Sequence, residues 1–245
     1  MRLLLLTALV SVVATYISCK KSDDPGETET PAQTLKNVSY GSNAQQKMDI
    51  YLPANRNTSS TKVLIAIHGG GWAVGDKSEM DAHIDSMLKR LPGYAVFNIN
   101  YRLAAGGLNL FPSANNDVHE AINFILSKKS EYKVSDKLSL LGVSSGGHLA
   151  LMEAYGNNAL RNIKAVVAAF APADLADLWN NPAGLPANTR LVLTNYLGTT
   201  LTANPSLYGQ ASPINIVTAQ SAPTQLFHAT GDTVVPYQQS VLLRN

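Results

Sequence analysis

The stretch LSLLGVSSGGHLA, residues 138–150, decides the fold because a strand, a tight turn and a helix follow one another in it. Residues 138–141 have the apolar pattern of a short buried strand, and a helix is expected from Gly147 onward. Between them, residues 142–146 fit the pattern G-x-S-x-G, in which flanking glycines let a crowded turn aim the central hydroxyl out above a sheet. We therefore predict that Ser144 is a nucleophile; a plain strand-to-helix turn is the alternative.

A second glycine-rich segment, HGGGW at residues 68–72, follows a buried strand and matches the HGGG-type oxyanion loop. Glycines there let backbone N–H groups approach a substrate carbonyl oxygen without obstruction by side chains. We predict that the N–H groups of Gly70, Gly71 and Ser145 form an oxyanion hole. A flexible glycine-rich turn and a phosphate-binding loop are the alternatives, but a phosphate-binding loop would carry Lys and Ser or Thr directly after the glycines. Trp72 is predicted to line the substrate pocket, with core packing as its alternative.

Buried apolar runs alternate with helical segments along the rest of the chain from residue 37 to residue 245. After an opening pair of strands near residues 38–40 and 47–52, strands are predicted at 63–67, 95–99, 138–141, 163–170 and 224–229, and helices at 79–91, 113–130, 147–155 and from Pro236. This alternation predicts an α/β domain with a mostly parallel central sheet and helices on both faces. Residues 174–220 interrupt the pattern, with a helix near 189–197, and are predicted to form a small lid insertion over the carboxyl edge of the sheet.

The amino-terminal segment has the features of an export signal. Arg2 precedes an apolar run that is short for a bilayer-spanning helix, and the run ends at Cys19, the only cysteine. This arrangement resembles the lipidated cysteine of bacterial lipoproteins. It implies a signal peptide over 1–18, a flexible tether over 19–36, and attachment by lipid to the outer membrane or cell surface. A plain secretory signal, giving a periplasmic or secreted protein, and an uncleaved anchor are the alternatives.

Composition excludes several classes of protein. The chain has 245 residues, of which 45% are hydrophobic and 15% charged, so it has material for a large core. A net charge of +2 without a basic cluster argues against a nucleic-acid partner. The sequence contains no Cys/His cluster for a metal and no G-x-G-x-x-G segment for a dinucleotide, so neither a metal nor another cofactor is expected.

The two glycine-rich motifs together resemble the α/β-hydrolase superfamily, in its HGGG-type carboxylesterase and lipase branch, and especially its exported acetyl and feruloyl esterases. The segments NYRL at 100–103 and GGHLA at 146–150, and Phe111-Pro112 with Asp117 after it, agree with this resemblance. It implies a serine esterase that works through an acyl-enzyme on small-molecule or carbohydrate esters, acetyl or feruloyl esters among them. Arg102 and Asp117 are expected to form a buried ion pair beside the site.

The same resemblance implies the acid of a catalytic triad. HATGDTVVP, residues 228–236, resembles the family segment H-G-x-x-D-x-x-V-P, with Ala229 in place of the usual glycine, and makes Asp232 the acid. A turn residue is the alternative reading of Asp232, and Asp174 is the second candidate for the acid. In the family the catalytic histidine follows the acid by roughly 30 residues.

All five histidines of this chain precede Asp232. We therefore expect the sequence to be incomplete at its carboxyl end, without the last strand, the last helix and the histidine, and the chain as given to be impaired. Other functions stay open: an aryl formamidase or exopeptidase-like hydrolase on the same fold, or a non-catalytic binding module that has lost its base.

Overall fold

A computed structural model describes residues 30–159, 162–181 and 189–245 of the chain. The predicted signal peptide, the lipidation candidate Cys19 and most of the predicted tether lie outside the described residues. Among the helices within those three ranges, none combines the length and the apolar character needed to cross a membrane.

The described residues form seven strands: β1 (Gln33–Ser39), β2 (Lys47–Leu52), β3 (Lys62–Ile67), β4 (Tyr94–Ile99), β5 (Leu138–Val143), β6 (Ile163–Ala169) and β7 (Thr224–Phe227). They pair into one sheet in the order β1-β2-β4-β3-β5-β6-β7. The pairs β1–β2 and β2–β4 are antiparallel, and the other four pairs are parallel, which confirms the mostly parallel sheet.

Helices cover both faces of this sheet, as the apolar runs predict. The helices are α1 (Asp81–Arg90), α2 (Ser113–Ser127), α3 (Lys129–Tyr132), α4 (Ser145–Gly156), α5 (Leu175–Asn180), α6 (Thr189–Leu197), α7 (Pro205–Gln210) and α8 (Gln238–Arg244). Along β3, Val63, Ile65 and Ile67 face the larger core cluster, which includes residues of α2 and α4, whereas Leu64 and Ala66 face a smaller cluster that includes residues of α1. A strand buried on both sides needs apolar residues at successive positions.

The structure corrects the predicted boundary between tether and domain. Residues 33–36, assigned to the flexible tether 19–36, are the first half of β1, and Leu35 pairs with Ile50 of β2 and packs against the core. The prediction was wrong there because β1 is a largely exposed edge strand without an apolar run. Other boundaries move by a few residues, since the helix predicted over 113–130 divides into α2 and α3 and the last strand ends at Phe227.

In its described residues the predicted insertion contains three short α-helices, α5, α6 and α7. The helix expected near 189–197 is α6, with the same bounds. Leu178, Leu193, Tyr196 and Tyr208 from these helices are buried in the larger core cluster. The insertion is therefore packed onto the domain, and α6 is placed where it can form a wall of the site.

Candidate active site

Ser144 occupies a strained turn between the last residue of β5 and the first residue of α4. Its backbone has φ 54° and ψ −122°, which is an unusual conformation for a residue with a side chain, and its N–H donates to the Ala169 carbonyl oxygen at 2.7 Å. A Cβ atom at Gly142 would collide with the Gly146 carbonyl, and one at Gly146 with the carbonyls of Ile67 and His68. The predicted strand–turn–helix geometry and the need for both glycines are confirmed.

The oxyanion loop connects β3 to the segment before α1. Gly70, Gly71 and Trp72 have φ of 113°, 58° and 60°, so the loop passes through the left-handed region three times in succession. The amide N–H groups of Gly70, Gly71 and Ser145 donate no hydrogen bond to any atom in the described part of the chain. These three residues line one cavity together with Ser144. The structure therefore brings the predicted nucleophile and the predicted oxyanion donors together.

Packing beneath the loop fixes its beginning. The His68 ring stacks on Tyr101 with ring centroids 4.4 Å apart, and the Tyr101 hydroxyl donates to the His68 carbonyl oxygen at 3.1 Å. Burial lowers the pKa of His68. Asn100 donates to the Asp76 carboxylate at 2.7 Å and accepts from the Lys77 N–H at 2.6 Å, which holds the end of the loop. The NYRL segment thus supports the oxyanion loop from below.

The expected ion pair between Arg102 and Asp117 is confirmed. Arg102 Nη2 lies 2.6 Å from an Asp117 carboxylate oxygen, the Asp117 side chain is fully buried, and the Arg102 backbone N–H donates to the other oxygen at 2.7 Å. Hydrogen bonds to Asp117 raise the pKa of Arg102. Gln46 also donates to Asp117 at 2.9 Å. The pair joins α2 to the segment that carries Tyr101.

Trp72 lies at the end of the oxyanion loop and partly fulfils both of its predicted roles. It lines the cavity, yet only 2% of its surface is exposed. Its ring stacks on Tyr196 of α6 with centroids 4.2 Å apart, and its indole N–H donates to Nδ1 of His148 at 3.2 Å. Trp72 therefore serves mainly as a packed link between the loop and its neighbours. The sequence contains no local signal for the contact between Tyr196 and Trp72, because this contact spans more than a hundred residues.

The cavity above Ser144 has a volume of about 280 Å³ and mostly apolar walls. No Asp, Glu, Lys or Arg side chain from the described residues lines it. Val192 of α6 lies directly over the loop, since its Cγ1 is 3.0 Å from where a Cβ on Gly71 would stand. The lining residues are Gly70, Gly71, Trp72, Ser144, Ser145, Pro172, Leu178, Thr189, Val192, Leu193, Val234 and Val235. These walls offer an environment that suits a neutral, mainly apolar group.

Asp232 lies in the loop between β7 and α8, beside this cavity. One of its carboxylate oxygens accepts from the N–H groups of Val234 and Val235 at 2.8 and 3.0 Å, and both valines line the cavity. The other oxygen is 3.5 Å from Nε2 of His228. Asp174, the second candidate, instead caps α5 by accepting from the N–H groups of its first turn. Asp232 is thus the carboxylate that borders the site.

None of the five histidine rings, all within the described ranges, forms a hydrogen bond with the Ser144 hydroxyl. Nδ1 of His228 contacts the Ser240 hydroxyl at 2.7 Å and its Nε2 contacts the Val235 carbonyl oxygen at 2.8 Å. His119 pairs with Glu153 at 2.9 Å, and His83 is exposed on α1. His68 is buried beneath the oxyanion loop, and His148 is buried beneath the tight turn at residues 142–146, which we call the elbow. Across residues 30–159, 162–181 and 189–245, no group of three His, Cys, Asp or Glu side chains could hold a metal ion.

Known proteins resemble this chain over about half of its length or more. It is 29% identical over 218 residues to the probable carboxylic ester hydrolase LipM of Mycobacterium tuberculosis (strain ATCC 25618 / H37Rv), covering 83% of this chain and 49% of LipM. It is 31% identical over 123 residues to a kynurenine formamidase of Salmo salar, covering 49% of this chain and 38% of that protein. The chain thus spans about half the length, or less, of these curated relatives.

Solved structures share the fold. A bifunctional GH43-CE protein of Bacteroides eggerthii superposes with a TM-score of 0.75 at 27% identity, over 86% of this chain and 33% of that one. A truncated form of a carbohydrate esterase from gut microbiota gives 0.74 at 28% identity, over 88% and 83%. Residues 48–245 match the BD-FAE family. The elbow, the oxyanion loop and this match lead to one assignment: the chain belongs to the BD-FAE family, in the carboxylesterase branch of the α/β-hydrolase superfamily.

Proposed function

We propose that the chain carries the nucleophile, the oxyanion hole and the triad acid of a serine carboxylic ester hydrolase. One observation carries the proposal: the strained Ser144 borders one cavity together with the amides of Gly70, Gly71 and Ser145, which donate to no atom of the described residues. The Ser144 hydroxyl oxygen attacks the ester carbonyl, and the three N–H groups donate to the oxyanion of the tetrahedral intermediate. The alcohol then leaves, and water hydrolyses the acyl-enzyme.

The proton of the Ser144 hydroxyl needs an acceptor, because the neutral hydroxyl is a weak nucleophile near pH 7. His148 and His228 are poor candidates, since both ring nitrogens of each are engaged with other groups. We propose that the base is a histidine of the full-length protein other than the five of this chain, and that Asp232 orients it through its Nδ1–H. That histidine takes the proton from Ser144 and passes it to the departing alkoxide.

The walls of the cavity favour a neutral acyl group. A carboxylate or ammonium on the acyl side would lose its hydration without gaining an opposite charge, which is costly. Acetyl and feruloyl groups are both neutral, and the similarity to a carbohydrate esterase supports esters of carbohydrates as the substrate class. Acetyl and feruloyl esters of polysaccharides are therefore the substrates that we propose to test first.

A formamidase is the second candidate, favoured by the 31% identity to a kynurenine formamidase. Hydrolysis of an N-formyl amide would use the same nucleophile and the same oxyanion hole. The amine is a poorer leaving group than an alkoxide from a sugar or phenol, so it must be protonated as it departs. A purified enzyme that prefers N-formyl aryl amides to esters in kcat/KM would replace the esterase proposal with this one.

The test uses the full-length protein and four substrates: p-nitrophenyl acetate, acetylated xylan, a feruloyl ester and an N-formyl aryl amide. We expect ester hydrolysis, and a loss of kcat on the order of 10⁶-fold in Ser144→Ala. A fluorophosphonate probe should label the wild type and not the variant. A folded wild-type protein that neither hydrolyses any substrate nor reacts with the probe would instead be a binding module.

Export and lipid attachment at Cys19 belong to the proposal as well. Cys19 is the only cysteine, and it follows the apolar amino-terminal run. Expression in a Gram-negative host with a clickable palmitate analogue should label the wild type and leave Cys19→Ala unlabelled. Labelling that persists in the variant would rule out this residue as the site.

A further inference from the structure

His148 joins three parts of the active site that are distant in the sequence. It lies in α4, four residues after Ser144, and it is fully buried. Its Nδ1 receives the hydrogen bond from the Trp72 indole at 3.2 Å, and its Nε2 contacts the Ala211 carbonyl oxygen at 2.7 Å. One imidazole thus connects the nucleophile helix, the oxyanion loop and the end of α7.

These two contacts determine the tautomer of His148. An indole N–H only donates and a carbonyl oxygen only accepts, so Nδ1 must be the unprotonated nitrogen and Nε2 must carry the proton. A protonated ring would point an N–H at another N–H and break the link to Trp72. Burial lowers the pKa of His148 to about 4, which keeps the ring neutral in the range where esterases work.

The hydrogen bond between His148 and Trp72 holds the residue that directly follows Gly71. The Trp72 side chain is held by His148 and by stacking on Tyr196, and its carbonyl oxygen accepts from the Ala104 N–H at 2.8 Å. Trp72 adopts φ 60°, a conformation in which a bulky residue persists only when its surroundings impose it. The orientation of the Gly71 amide therefore depends on what holds Trp72.

We propose that His148 is a positioning residue of the oxyanion hole, which aligns the amides of Gly70 and Gly71 with Ser144 through its hydrogen bond to Trp72. This inference rests on the proposed ester hydrolysis. His148 does not line the cavity and does not touch the substrate. Its effect falls on kcat rather than on KM, because an oxyanion donor acts more strongly on the tetrahedral intermediate than on the ground state.

Two substitutions test the two hydrogen bonds of the His148 ring one at a time. In His148→Asn the side-chain oxygen lies near the position of Nδ1 and can accept from Trp72. In His148→Gln the side-chain amide nitrogen lies near the position of Nε2 and can donate to Ala211, while the acceptor for Trp72 is lost. We expect His148→Gln to lose kcat by on the order of 10- to 100-fold with KM little changed, and His148→Asn to keep most of its kcat.

Two measurements show whether a lower kcat in these variants comes from a displaced Trp72 or from a loss of stability. Thermal unfolding gives the stability of each variant. The chain has two tryptophans, so indole ¹⁵N–¹H spectra contain one resonance for Trp72 and one for Trp179. The Trp72 resonance should move in His148→Gln and stay near its wild-type position in His148→Asn.

The outcomes are distinct. A His148→Gln protein with wild-type kcat and a shifted Trp72 resonance would overturn the positioning role, and so would equal losses in both variants that follow their loss of stability. A wild-type protein without Ser144-dependent hydrolysis would overturn the proposed function, and this inference with it.

Discussion

The two halves of the candidate site differ in how firmly the fold holds them. The elbow and the oxyanion loop lie at the ends of β5 and β3, each of which has a strand on both sides. The acid loop, which carries Asp232 between β7 and α8, follows an edge strand of the described sheet, and 57% of Val234 in that loop is exposed. The half that must hold amides in place is thus fixed by the sheet, whereas the half that carries Asp232 is fixed by a few local hydrogen bonds.

After the loss expected in Ser144→Ala, the largest expected effect concerns the acid half. Asp232→Asn should lower kcat by on the order of 10⁴-fold in the full-length protein, because an amide cannot stabilise the imidazolium. Asp174→Asn is the matched control, since Asp174 only caps α5, and it should leave kcat unchanged. Steady-state kinetics on p-nitrophenyl acetate decide the assignment. Equal kcat values in the two variants would remove Asp232 from the triad.

The second prediction compares one glycine from each half. A Cβ at Gly146 would meet the carbonyls of Ile67 and His68, whereas one at Gly231 would meet no atom within 4 Å. Gly146→Ala should lower the free energy of unfolding by about 3 kcal/mol or more, because the backbone around the elbow cannot move away. Gly231→Ala should change it by less than about 0.5 kcal/mol. Urea unfolding of both variants tests the contrast, and similar losses would contradict it.

Acid should lower the stability of the folded protein through His148, which lies in the buried half of the site. Its pKa is lowered from the ordinary 6.5 to about 4 in the folded protein, so between these values the unfolded chain binds a proton that the folded one does not. The stability linked to His148 is therefore complete above pH 6.5 and is lost as the pH falls toward 4, by on the order of 3 kcal/mol.

The groups that face His148 do not titrate in this range. Burial raises the pKa of Tyr196 well above its usual value, and the other contacts are the Trp72 indole and the Ala211 carbonyl. His148→Asn should remove this part of the pH dependence, which urea unfolding at pH 7, 5 and 4 would show. Parallel curves for variant and wild type would contradict the prediction.

The same contrast explains how far the sequence predicts the structure. The elbow and the oxyanion loop were predicted residue by residue because glycine is required at defined positions in a turn, and that requirement is visible in a short motif. The contacts of Trp72 with His148 and Tyr196 were not predicted, because they join segments separated by about 75 and 125 residues and have no local signature. The bounds of β1 were missed since an exposed edge strand needs no apolar run.

The smallest expected effect concerns the preference for one acyl group over another, and how each of the two walls of the cavity contributes to it. Val192 of α6 lies against Gly71, whereas Val234 of the acid loop is mostly exposed, and both line the cavity. Val192→Ala should open space beside the oxyanion hole and raise the preference for p-nitrophenyl butyrate over the acetate by about tenfold in kcat/KM, since one or two methylene groups contribute about 1–3 kcal/mol in an apolar pocket. Val234→Ala should leave the ratio near its wild-type value, because its side chain already contacts solvent. A change of the ratio in Val234→Ala alone would place the acyl group on the acid side of the cavity and α6 on the side of the leaving alcohol.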